Sequence, residues 1–430
     1  MRKDRPALSG FVLILISTVI AGLAGYAITW FVYRRVGASQ YALFMVFWSS
    51  LYLVVGALSG VQQEITRATR PRRTDFLRGA SRSRNFGFAA ALLAFILIAG
   101  SSPLWMGSVF RGTTPLLAVP LAFGATAYVL VATLSGALYG IERWKALAWI
   151  VAIDGVLRLV SLVAISLVTT DLLALAWSVV LPFAVTPMIV WPFIRGGVVG
   201  KVQTDVGYRK LTWNVSRTIL AAASTAFLVS GFPLLLRVTS SNAPAAAIGV
   251  LILAITLTRA PLIVTVMALQ SYLVVRFRDF TGNFQSFFLR IEALVLGGGI
   301  LLALSGCAVG PTVFEILFGH RTKVDGLVIG ILILSSALVA ALSVSSSAVL
   351  AKSQHVVYSI GWLVAAVTTV VLLLLPLGLV PRVLVTLIGG PLAGLVVHAL
   401  YLLASKANGR ARREGFGGTI RHSKSREALK

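Results

Sequence analysis

Charged residues set inside long apolar stretches are the part of this sequence best suited to do chemistry. Arg259 stands in the apolar run ITLTRAPLIVTV, and the chain has no aspartate or glutamate between Asp205 and Asp279. A guanidinium is costly in hydrocarbon, so its counter-charge must come from another helix, water, backbone carbonyls or a ligand. Because a guanidinium binds phosphate through paired hydrogen bonds, Arg259 is a candidate for contacting a phosphate-bearing substrate. Structural pairing with Glu292 or Asp154 is the alternative.

Two pairs of opposite charge have helical spacing. Asp154 and Arg158 are four residues apart in IDGVLRLV, and Glu64 and Arg67 are three apart in QQEITR. Side chains at these spacings share a helix face and can neutralise each other. We interpret the first pair as a structural ion pair, with a role in a binding site as the alternative. The second pair ends an apolar stretch, and Arg217 begins another. Charges at the ends of apolar stretches cost less free energy in a membrane than charges in the middle of one.

The elements that hold these residues are predicted to be membrane-spanning helices. Of the 430 residues, 58% are hydrophobic and 12% are charged, whereas soluble domains carry about 25% charged residues. Continuous apolar stretches of about 20 residues indicate transmembrane helices. Arg259 lies near the middle of the eighth, where Pro261 predicts a bend. The sequence predicts twelve spans, at 10–32, 40–62, 86–110, 116–140, 149–168, 172–194, 219–239, 246–270, 291–313, 326–350, 356–376 and 380–404.

The positive charges lie mainly on one side of the predicted topology. Of the 38 Lys and Arg residues, 29 fall in the N-terminus, in the loops after even-numbered spans and in the C-terminal tail. The positive-inside rule therefore places both termini in the cytoplasm. The net charge of +25 is on this interpretation a topology signal, and no nucleic-acid partner is expected. Arginine outnumbers lysine 29 to 9, which suggests a GC-rich bacterial genome and hence a bacterial cytoplasmic membrane.

The spans divide into two halves of six. We predict an N-terminal lobe over 1–194, a cytoplasmic connector over 195–218, a C-terminal lobe over 219–404 and a disordered basic cytoplasmic tail over 405–430. Two such halves are the layout of a transporter built from repeats, with the substrate bound near the bilayer midplane. Basic residues at 67–84 and in the tail are candidates for contacting anionic lipid headgroups, with solvated topology signals as the alternative.

Motifs of enzymes and of metal sites are absent from the sequence. The stretch GGVVGK has three residues between Gly196 and Gly200 where a phosphate loop needs four, and Val202 replaces the Mg²⁺-binding hydroxyl residue. The four histidines lie in separate segments and there is one cysteine, so no metal site and no cofactor is predicted. The longest external loop has about a dozen residues, too few for a catalytic domain. The sequence therefore predicts no enzyme.

Four segments resemble those of polysaccharide (lipid-linked oligosaccharide) flippases in the multidrug/oligosaccharidyl-lipid/polysaccharide (MOP) exporter superfamily. VYRRVGASQYALFMVFWSS (32–50) resembles their R-x-L-G-x-x-x-Y-G-x-F signature, and GVQQEITRA (60–68) resembles their E-x-x-R end of span 2. YGIERWKALAWIVAIDGVLRL (139–159) is similar to their G-x-x-R-F…[E/D]-G-x-x-R segment. LTRAPLIVTVMALQSYLVVRF (257–277) is similar to their R-x-P-L…Q-x-x-L-x-P segment.

The resemblance implies an all-α membrane protein of twelve helices, with two six-helix lobes forming a V around a cationic cavity. It implies flipping of a polyprenyl-pyrophosphate-linked glycan to the outer leaflet for cell-surface polysaccharide assembly, by alternating access without ATP, and glycan-assembly proteins as partners. Carried onto this sequence, Arg259 is the cavity candidate, Arg67 and Arg217 are candidates at the cytoplasmic mouth, and Arg158 matches the span 5 motif.

Three other functions stay open at this point. A multidrug or small-molecule exporter of the same superfamily is one, although cation exporters should show acids facing the cavity. A non-transporting membrane scaffold for cell-wall assembly and an integral membrane enzyme are the others. The intramembrane acids are few, and Asp154, Glu64 and Glu292 are the candidates for ion pairing or for binding a coupling ion.

Overall fold

The chain folds almost entirely into apolar α-helices. The computed structural model describes the backbone of residues 5–71, 82–110, 113–200, 202–240, 242–319, 322–352 and 354–427. Within these ranges, side chains are described except at 5–9, 11, 70–71, 221, 224, 228, 260–272, 275, 355 and 405–427.

The helices follow one another with short connections. They are α1 Arg5–Ala68, α2 Arg82–Val109, α3 Ala118–Gly140, α4 Trp144–Val168, α5 Leu172–Val198, α6 Tyr208–Ser230, α7 Phe232–Thr239, α8 Ala245–Asp279, α9 Phe284–Phe318, α10 Gly326–Ala351, α11 His355–Leu373 and α12 Leu379–Glu427. A 3₁₀ turn at Pro115–Leu117 precedes α3.

The number of helices and the number of predicted spans differ for local reasons. In the described ranges, nine helices are long and apolar enough to cross a membrane. Helix α1 contains both predicted spans 1 and 2, the pair α6 and α7 corresponds to span 7, and α8 contains span 8. All twelve predicted spans thus coincide with helices, which confirms a multi-pass, all-α membrane fold. Large apolar side chains such as Leu104 and Phe193 are more than four-fifths exposed, as expected for helices that face lipid.

A glycine marks the turn between spans 1 and 2 inside α1. Gly37 has φ 75° and ψ 171°, which is non-helical and favours glycine. This residue is the glycine of the segment VYRRVGASQY, so the motif has a conformational reason.

Predicted span 7 is broken rather than continuous. Helices α6 and α7 meet at an angle of 67° around Gly231. A Cβ atom at this glycine would approach the Phe227 carbonyl oxygen to 2.5 Å. Pro233, in the first turn of α7, has no amide hydrogen to continue the α6 ladder. Glycine and proline together explain the break, which the hydropathy pattern alone does not reveal.

Two short strands join regions predicted to be loops. Strand β1 (Thr69–Pro71) pairs antiparallel with β2 (Val202–Thr204), with Thr69 opposite Thr204. The amide of Asp205 continues this pairing by donating to the carbonyl of Ala68 at 2.9 Å. The predicted connector over 195–218 is therefore structured, because it contains β2 and the first turns of α6.

The chain divides into two compact units, each with its own apolar core. Unit 1 comprises Met1–Leu257, Pro311–Val324 and Gly378–Val380, and unit 2 comprises Thr258–Gly310, Asp325–Leu377 and Pro381–Lys430. The two predicted lobes have different boundaries and stay a prediction. A core of unit 1 is formed by Val61, Ile65, Leu211 and Val215 with their neighbours. A core of unit 2 is formed by Phe277, Phe288, Val344, Ala348 and Leu402 with theirs.

Three expectations fall partly on residues outside the description. Helix α12 continues to Glu427, although the sequence predicts a disordered tail. The tail contains no proline that would end a helix, and its side chains are not described. Most of the predicted lipid-contacting segment 67–84 also lies outside the described residues. Helix α8 is one helix through Pro261, and the predicted bend stays a prediction.

Candidate functional site

Arg158 is held in a closed polar and aromatic site within unit 1. Its residue is 3% exposed, and its Nη2 atom lies 2.6 Å from Oδ2 of Asp154, one turn earlier on α4. The guanidinium carbon lies 4.2 Å from the ring centroid of Phe183 on α5 and 5.6 Å from that of Tyr52 on α1. An ion pair and two cation–π contacts stabilise the buried charge. The site thereby connects α1, α4 and α5.

Further aromatic rings hold this site in shape. The ring of Tyr52 stacks on Trp48, with centroids 5.0 Å apart, and Phe183 meets Tyr128 edge-on at 5.5 Å. Sequence spacing does not reveal these rings, because they come from α1, α3 and α5 and share no short motif with Asp154. With its charge already balanced, Arg158 is suited to structural support.

Glu64 joins α1 to α6 through a network at the predicted cytoplasmic end. Its carboxylate accepts hydrogen bonds from Arg67 Nε at 2.8 Å, from Arg67 Nη2 at 2.6 Å and from Asn214 Nδ2 at 2.8 Å. Glu64 is buried, whereas the Arg67 side chain is half exposed. Asn214 is a partner that sequence reasoning missed, and it lies 150 residues away in the chain. In this network Arg67 neutralises an acid of its own helix.

Close packing of the two helices positions this network. The hydroxyl of Thr218 on α6 donates to the carbonyl of Gly60 on α1 at 3.0 Å. A Cβ atom at Gly60 would lie 2.5 Å from the amide nitrogen of Ile219. Gly60 therefore lets the helix backbones approach closely, as small residues do in membrane interfaces.

Arg217 lies on the exposed side of α6. It shares this side with Arg209, Lys210 and Trp213, and Trp213 is 65% exposed. Tyr208, Arg209, Lys210, Trp213 and neighbouring residues of α6 line a groove of about 1030 Å³. Cationic and aromatic side chains in one groove can bind an anionic headgroup or stack against a sugar. The structure does not bring Arg217 into the Glu64 network.

The predicted outer end of α1 contacts a later segment of unit 1. The Tyr33 hydroxyl lies 3.0 Å from the Thr322 hydroxyl, and Trp30 Nε1 donates to the Leu317 carbonyl at 3.0 Å. Phe318 packs edge-on against Tyr33, with centroids 5.2 Å apart. These contacts are neutral, in contrast to the charged network at the other end of the helix. The predicted outer end of this helix therefore packs against residues 317–322, and its other end packs against α6.

Arg259 is a buried cation in unit 2 whose surroundings differ from those of Arg158. It is 7% exposed on α8, and the neighbouring Thr258 carbonyl accepts a hydrogen bond from Ser336 of α10 at 3.4 Å. Within the described part of the chain, Nε of Arg259 has no hydrogen-bond partner and no carboxylate forms an ion pair with the guanidinium. Asp154, one of its two predicted partners, is paired with Arg158 instead.

Glu292, the other predicted partner, is buried on α9 of unit 2. It is 7% exposed, and neither carboxylate oxygen has a hydrogen-bond partner among the residues that the structure describes. A carboxylate without a partner is costly in an apolar setting. Its predicted role in pairing or in binding a coupling ion stays a prediction.

Comparison with known proteins identifies sequence relatives in mycobacteria. The chain is 33% identical over 396 residues to the uncharacterized protein Mb3654 of Mycobacterium bovis, covering 90% of each protein. It is 32% identical over 396 residues to Rv3630 and 31% identical over 390 residues to Rv1510, both uncharacterized proteins of Mycobacterium tuberculosis, again covering 90% of each. No family model matches the sequence.

Solved transporter structures share the fold at low sequence identity. The lipid II flippase MurJ in an inward closed conformation aligns with a TM-score of 0.68 and 11% identity, over 92% of this chain and 87% of that one. An inward-facing MATE-family multidrug transporter of the MOP superfamily aligns with a TM-score of 0.62 and 14% identity, over 92% and 99%. The chain thus has the fold of MOP superfamily transporters, and it belongs to the same protein family as Rv3630 and Rv1510 of Mycobacterium tuberculosis.

Proposed function

We propose that this protein flips a polyprenyl-pyrophosphate-linked oligosaccharide from the cytoplasmic to the outer leaflet of a bacterial membrane. The observation that carries the proposal is Arg259, a buried guanidinium without a counter-charge in the described part of the chain. A buried cation in an apolar helix is stabilised when an anion reaches it. The pyrophosphate of the substrate is the anion that we assign to it.

The chemistry of the two groups matches. Guanidinium presents a planar set of donors that suits paired phosphate oxygens, and it is more weakly hydrated than an ammonium. A bond between Arg259 and pyrophosphate would form only while substrate is bound, so it contributes to transport rather than to folding. Arg158 differs because Asp154 and two aromatic rings already stabilise its charge.

The fold supports a flippase over a soluble binding protein or an enzyme. MurJ, whose fold this chain shares, is named as a lipid II flippase. The predicted external connections are short, so we assign substrate binding and transport to the membrane helices. The exposed side of α6, with Arg209, Lys210 and Arg217, supplies positive charge that attracts anionic headgroups toward the predicted cytoplasmic mouth.

Alternating access without ATP is the mechanism that we propose. Opening toward the outside requires the neutral contacts of Tyr33 and Trp30 to separate, and opening toward the cytoplasm requires the Glu64–Asn214 bond to separate. With the cytoplasm negative, outward movement of one negative charge releases about 2.3 kcal/mol per 100 mV. The membrane potential therefore favours outward over inward movement of an anionic substrate.

Depletion of the protein in its native cell tests the function. Lipid-linked glycan intermediates are extracted and assigned to leaflets with a membrane-impermeant glycan-modifying reagent. We expect accumulation on the cytoplasmic leaflet. An unchanged pool with mislocalised assembly proteins would instead indicate a scaffold, and an unchanged pool with altered drug sensitivity would indicate a small-molecule exporter.

Substitution of Arg259 tests the proposed substrate contact. Arg259→Ala, Arg259→Gln and Arg259→Lys are expressed in depleted cells, with Arg276→Ala as the matched control, since Arg276 is an exposed arginine of the same helix. We expect lost export for Ala and Gln, partial export for Lys and normal export for the control. Normal export by all three Arg259 variants at equal membrane levels would remove the substrate role.

A further inference from the structure

A histidine is enclosed where α10, α11 and α12 pack together in unit 2. His398 of α12 has no exposed surface. Its Nδ1 atom lies 3.0 Å from Oγ of Ser345 on α10, and its Nε2 atom lies 3.3 Å from the carbonyl oxygen of Tyr358 on α11. Both ring nitrogens therefore have partners from two different helices. The proposed transport mechanism uses none of these groups.

Two glycines make the space that the imidazole occupies. A Cβ atom at Gly361 on α11 would overlap the imidazole ring of His398. A Cβ atom at Gly394, one turn before the histidine on α12, would lie 2.6 Å from the carbonyl oxygen of Gly361. Helices α11 and α12 thus approach closely at these glycines, and the ring fits where their side chains are missing. The arrangement is a built site rather than a histidine that happens to be buried.

Counting hydrogens shows that the site accepts two protonation states. The Tyr358 carbonyl can only accept, so Nε2 carries a hydrogen in both states. The Ser345 hydroxyl lies within hydrogen-bond distance of Nδ1 and also 2.9 Å from the carbonyl of Leu342. In the neutral state the hydroxyl donates to Nδ1. In the protonated state Nδ1–H donates to the hydroxyl oxygen, and the hydroxyl hydrogen turns to Leu342.

We propose that His398 is a reversible proton-binding site, and that rotation of the Ser345 hydroxyl accommodates each proton that binds. Both states satisfy the polar hydrogens of the ring and of Ser345, as reversible binding at a buried group requires. Ionisable groups within membrane helices are costly, so their presence there indicates a function. Proton binding itself does not depend on the proposed flippase function.

Helices α10 and α11 and the spanning part of α12 carry no carboxylate that could serve as a counter-ion. Helix α10 contains no ionisable side chain, only buried serines near the site. Helix α11 contributes Tyr358 and begins at His355, and the spanning part of α12 contributes Arg382 and Tyr401. Helix α9, which packs into the same core, carries Arg290 and Glu292. Since no ion pair is formed at His398 among the described residues, a bound proton is stabilised mainly by the two hydrogen bonds of the ring.

A titration of His398 in a protein without other histidines tests the proposal, and it requires no substrate. The variant His320→Gln/His355→Gln/His422→Gln leaves His398 as the only histidine. With ¹⁵N-histidine in lipid nanodiscs, we expect the neutral ring to carry its hydrogen on Nε2 and to take up a second proton reversibly as the pH is lowered over the range in which the protein stays folded. A neutral ring protonated on Nδ1, or no uptake while the protein stays folded, would overturn the proposal.

A serine series separates proton binding from packing. In the same background, Ser345→Ala removes the hydroxyl that faces Nδ1. Ser343→Ala and Ser347→Ala are matched controls, because these buried hydroxyls of α10 bond only to carbonyls of their own helix among the described residues. We expect a smaller protonated fraction at equal pH for Ser345→Ala and no change for the controls. An unchanged titration in Ser345→Ala would exclude the hydroxyl switch.

The titration and the export assay can fail separately. If the ring titrates as expected but depletion leaves lipid-linked glycans unchanged, proton binding stands and the flippase function is wrong. If depletion traps glycans on the cytoplasmic leaflet but the ring never binds a proton, the reverse holds.

Discussion

Arg158 and Arg259 are both arginines buried in apolar helices, and their surroundings are opposite. Arg158 has a carboxylate 2.6 Å away on its own helix and the faces of two aromatic rings. Arg259 has no acid in ion-pair contact within the described part of the chain. Each of the two arginines leaves one guanidinium nitrogen without a hydrogen-bond partner there, Nη1 of Arg158 and Nε of Arg259, so the carboxylate is what distinguishes them. Their exposure is nearly equal, at 3% and 7%, so burial alone does not distinguish them.

The comparison shows two ways of keeping a charge inside a membrane helix. At Arg158 the counter-charge is part of the fold, and it is in place as soon as α4 forms and packs on α1 and α5. At Arg259 the described residues supply no counter-charge, and a buried charge without one costs stability unless an anion is supplied from elsewhere. A residue of the first kind stabilises the protein, and one of the second kind is available for a ligand. Substitutions at both sites test this division.

The largest expected effect is at Asp154. Asp154→Leu leaves the buried guanidinium of Arg158 without its carboxylate, and we expect unfolding free energy to fall by about 3 kcal/mol. The double variant Asp154→Leu/Arg158→Leu should recover most of this loss, because no uncompensated charge remains. Chemical unfolding in detergent micelles, followed by helical circular dichroism, measures both.

An exposed pair provides the control for Asp154. Asp279 bonds to Arg278 with both side chains more than half exposed, so Asp279→Leu should leave stability unchanged. Equal losses in Asp154→Leu and in the double variant would show that packing, rather than charge, accounts for the effect.

The second effect concerns the contrast of the two arginines. Arg158→Met should destabilise the fold, because it leaves Asp154 and the aromatic faces without the cation. Arg259→Met should leave stability unchanged or raise it, while the flipping rate falls about 10- to 100-fold, as expected for the loss of a charge-assisted hydrogen bond of about 1.5–3 kcal/mol. The measurements are thermal unfolding and leaflet-resolved glycan flipping in proteoliposomes. Strong destabilisation by Arg259→Met would mean that a structural partner exists, and the contrast would fail.

Sequence spacing identified the charged groups but only some of their partners. Asp154 and Arg158, and Glu64 and Arg67, meet because residues three or four apart share a helix face, which requires no knowledge of the fold. Asn214, Tyr52 and Phe183 reach these sites from other helices, so their positions depend on packing that spacing does not encode. Hydropathy likewise placed all twelve predicted spans on stretches that are helical, but it did not predict the break at Gly231, since glycine and proline scarcely change hydropathy.

A third arginine lies between the two extremes and is expected to matter less. Arg67 is paired with Glu64 but is half exposed, so Arg67→Ala should change unfolding free energy by less than about 1 kcal/mol. Asn214→Ala removes one hydrogen bond between α1 and α6 and should cost about 1 kcal/mol. Double-mutant cycles with Glu64→Gln measure each coupling. A larger coupling for Arg67 than for Asn214 would contradict this ranking of the two contacts of Glu64.

The smallest effect is expected at Arg217, which is exposed and lies outside the Glu64 and Arg158 networks. Arg217→Ala should leave stability unchanged, because no structural contact of the described residues is lost. If the side chain attracts anionic headgroups, the apparent KM for lipid-linked substrate should rise about 5-fold at low salt, the equivalent of about 1 kcal/mol for one surface charge.

Screening should abolish the difference in KM between Arg217→Ala and the unchanged protein at high salt, since the Debye length falls to about 3 Å at 1 M. Flipping assays in anionic proteoliposomes at two salt concentrations measure this. A loss that persists at high salt would place Arg217 in direct contact with the substrate, and the division between Arg259 as binding residue and α6 as attracting surface would then be wrong.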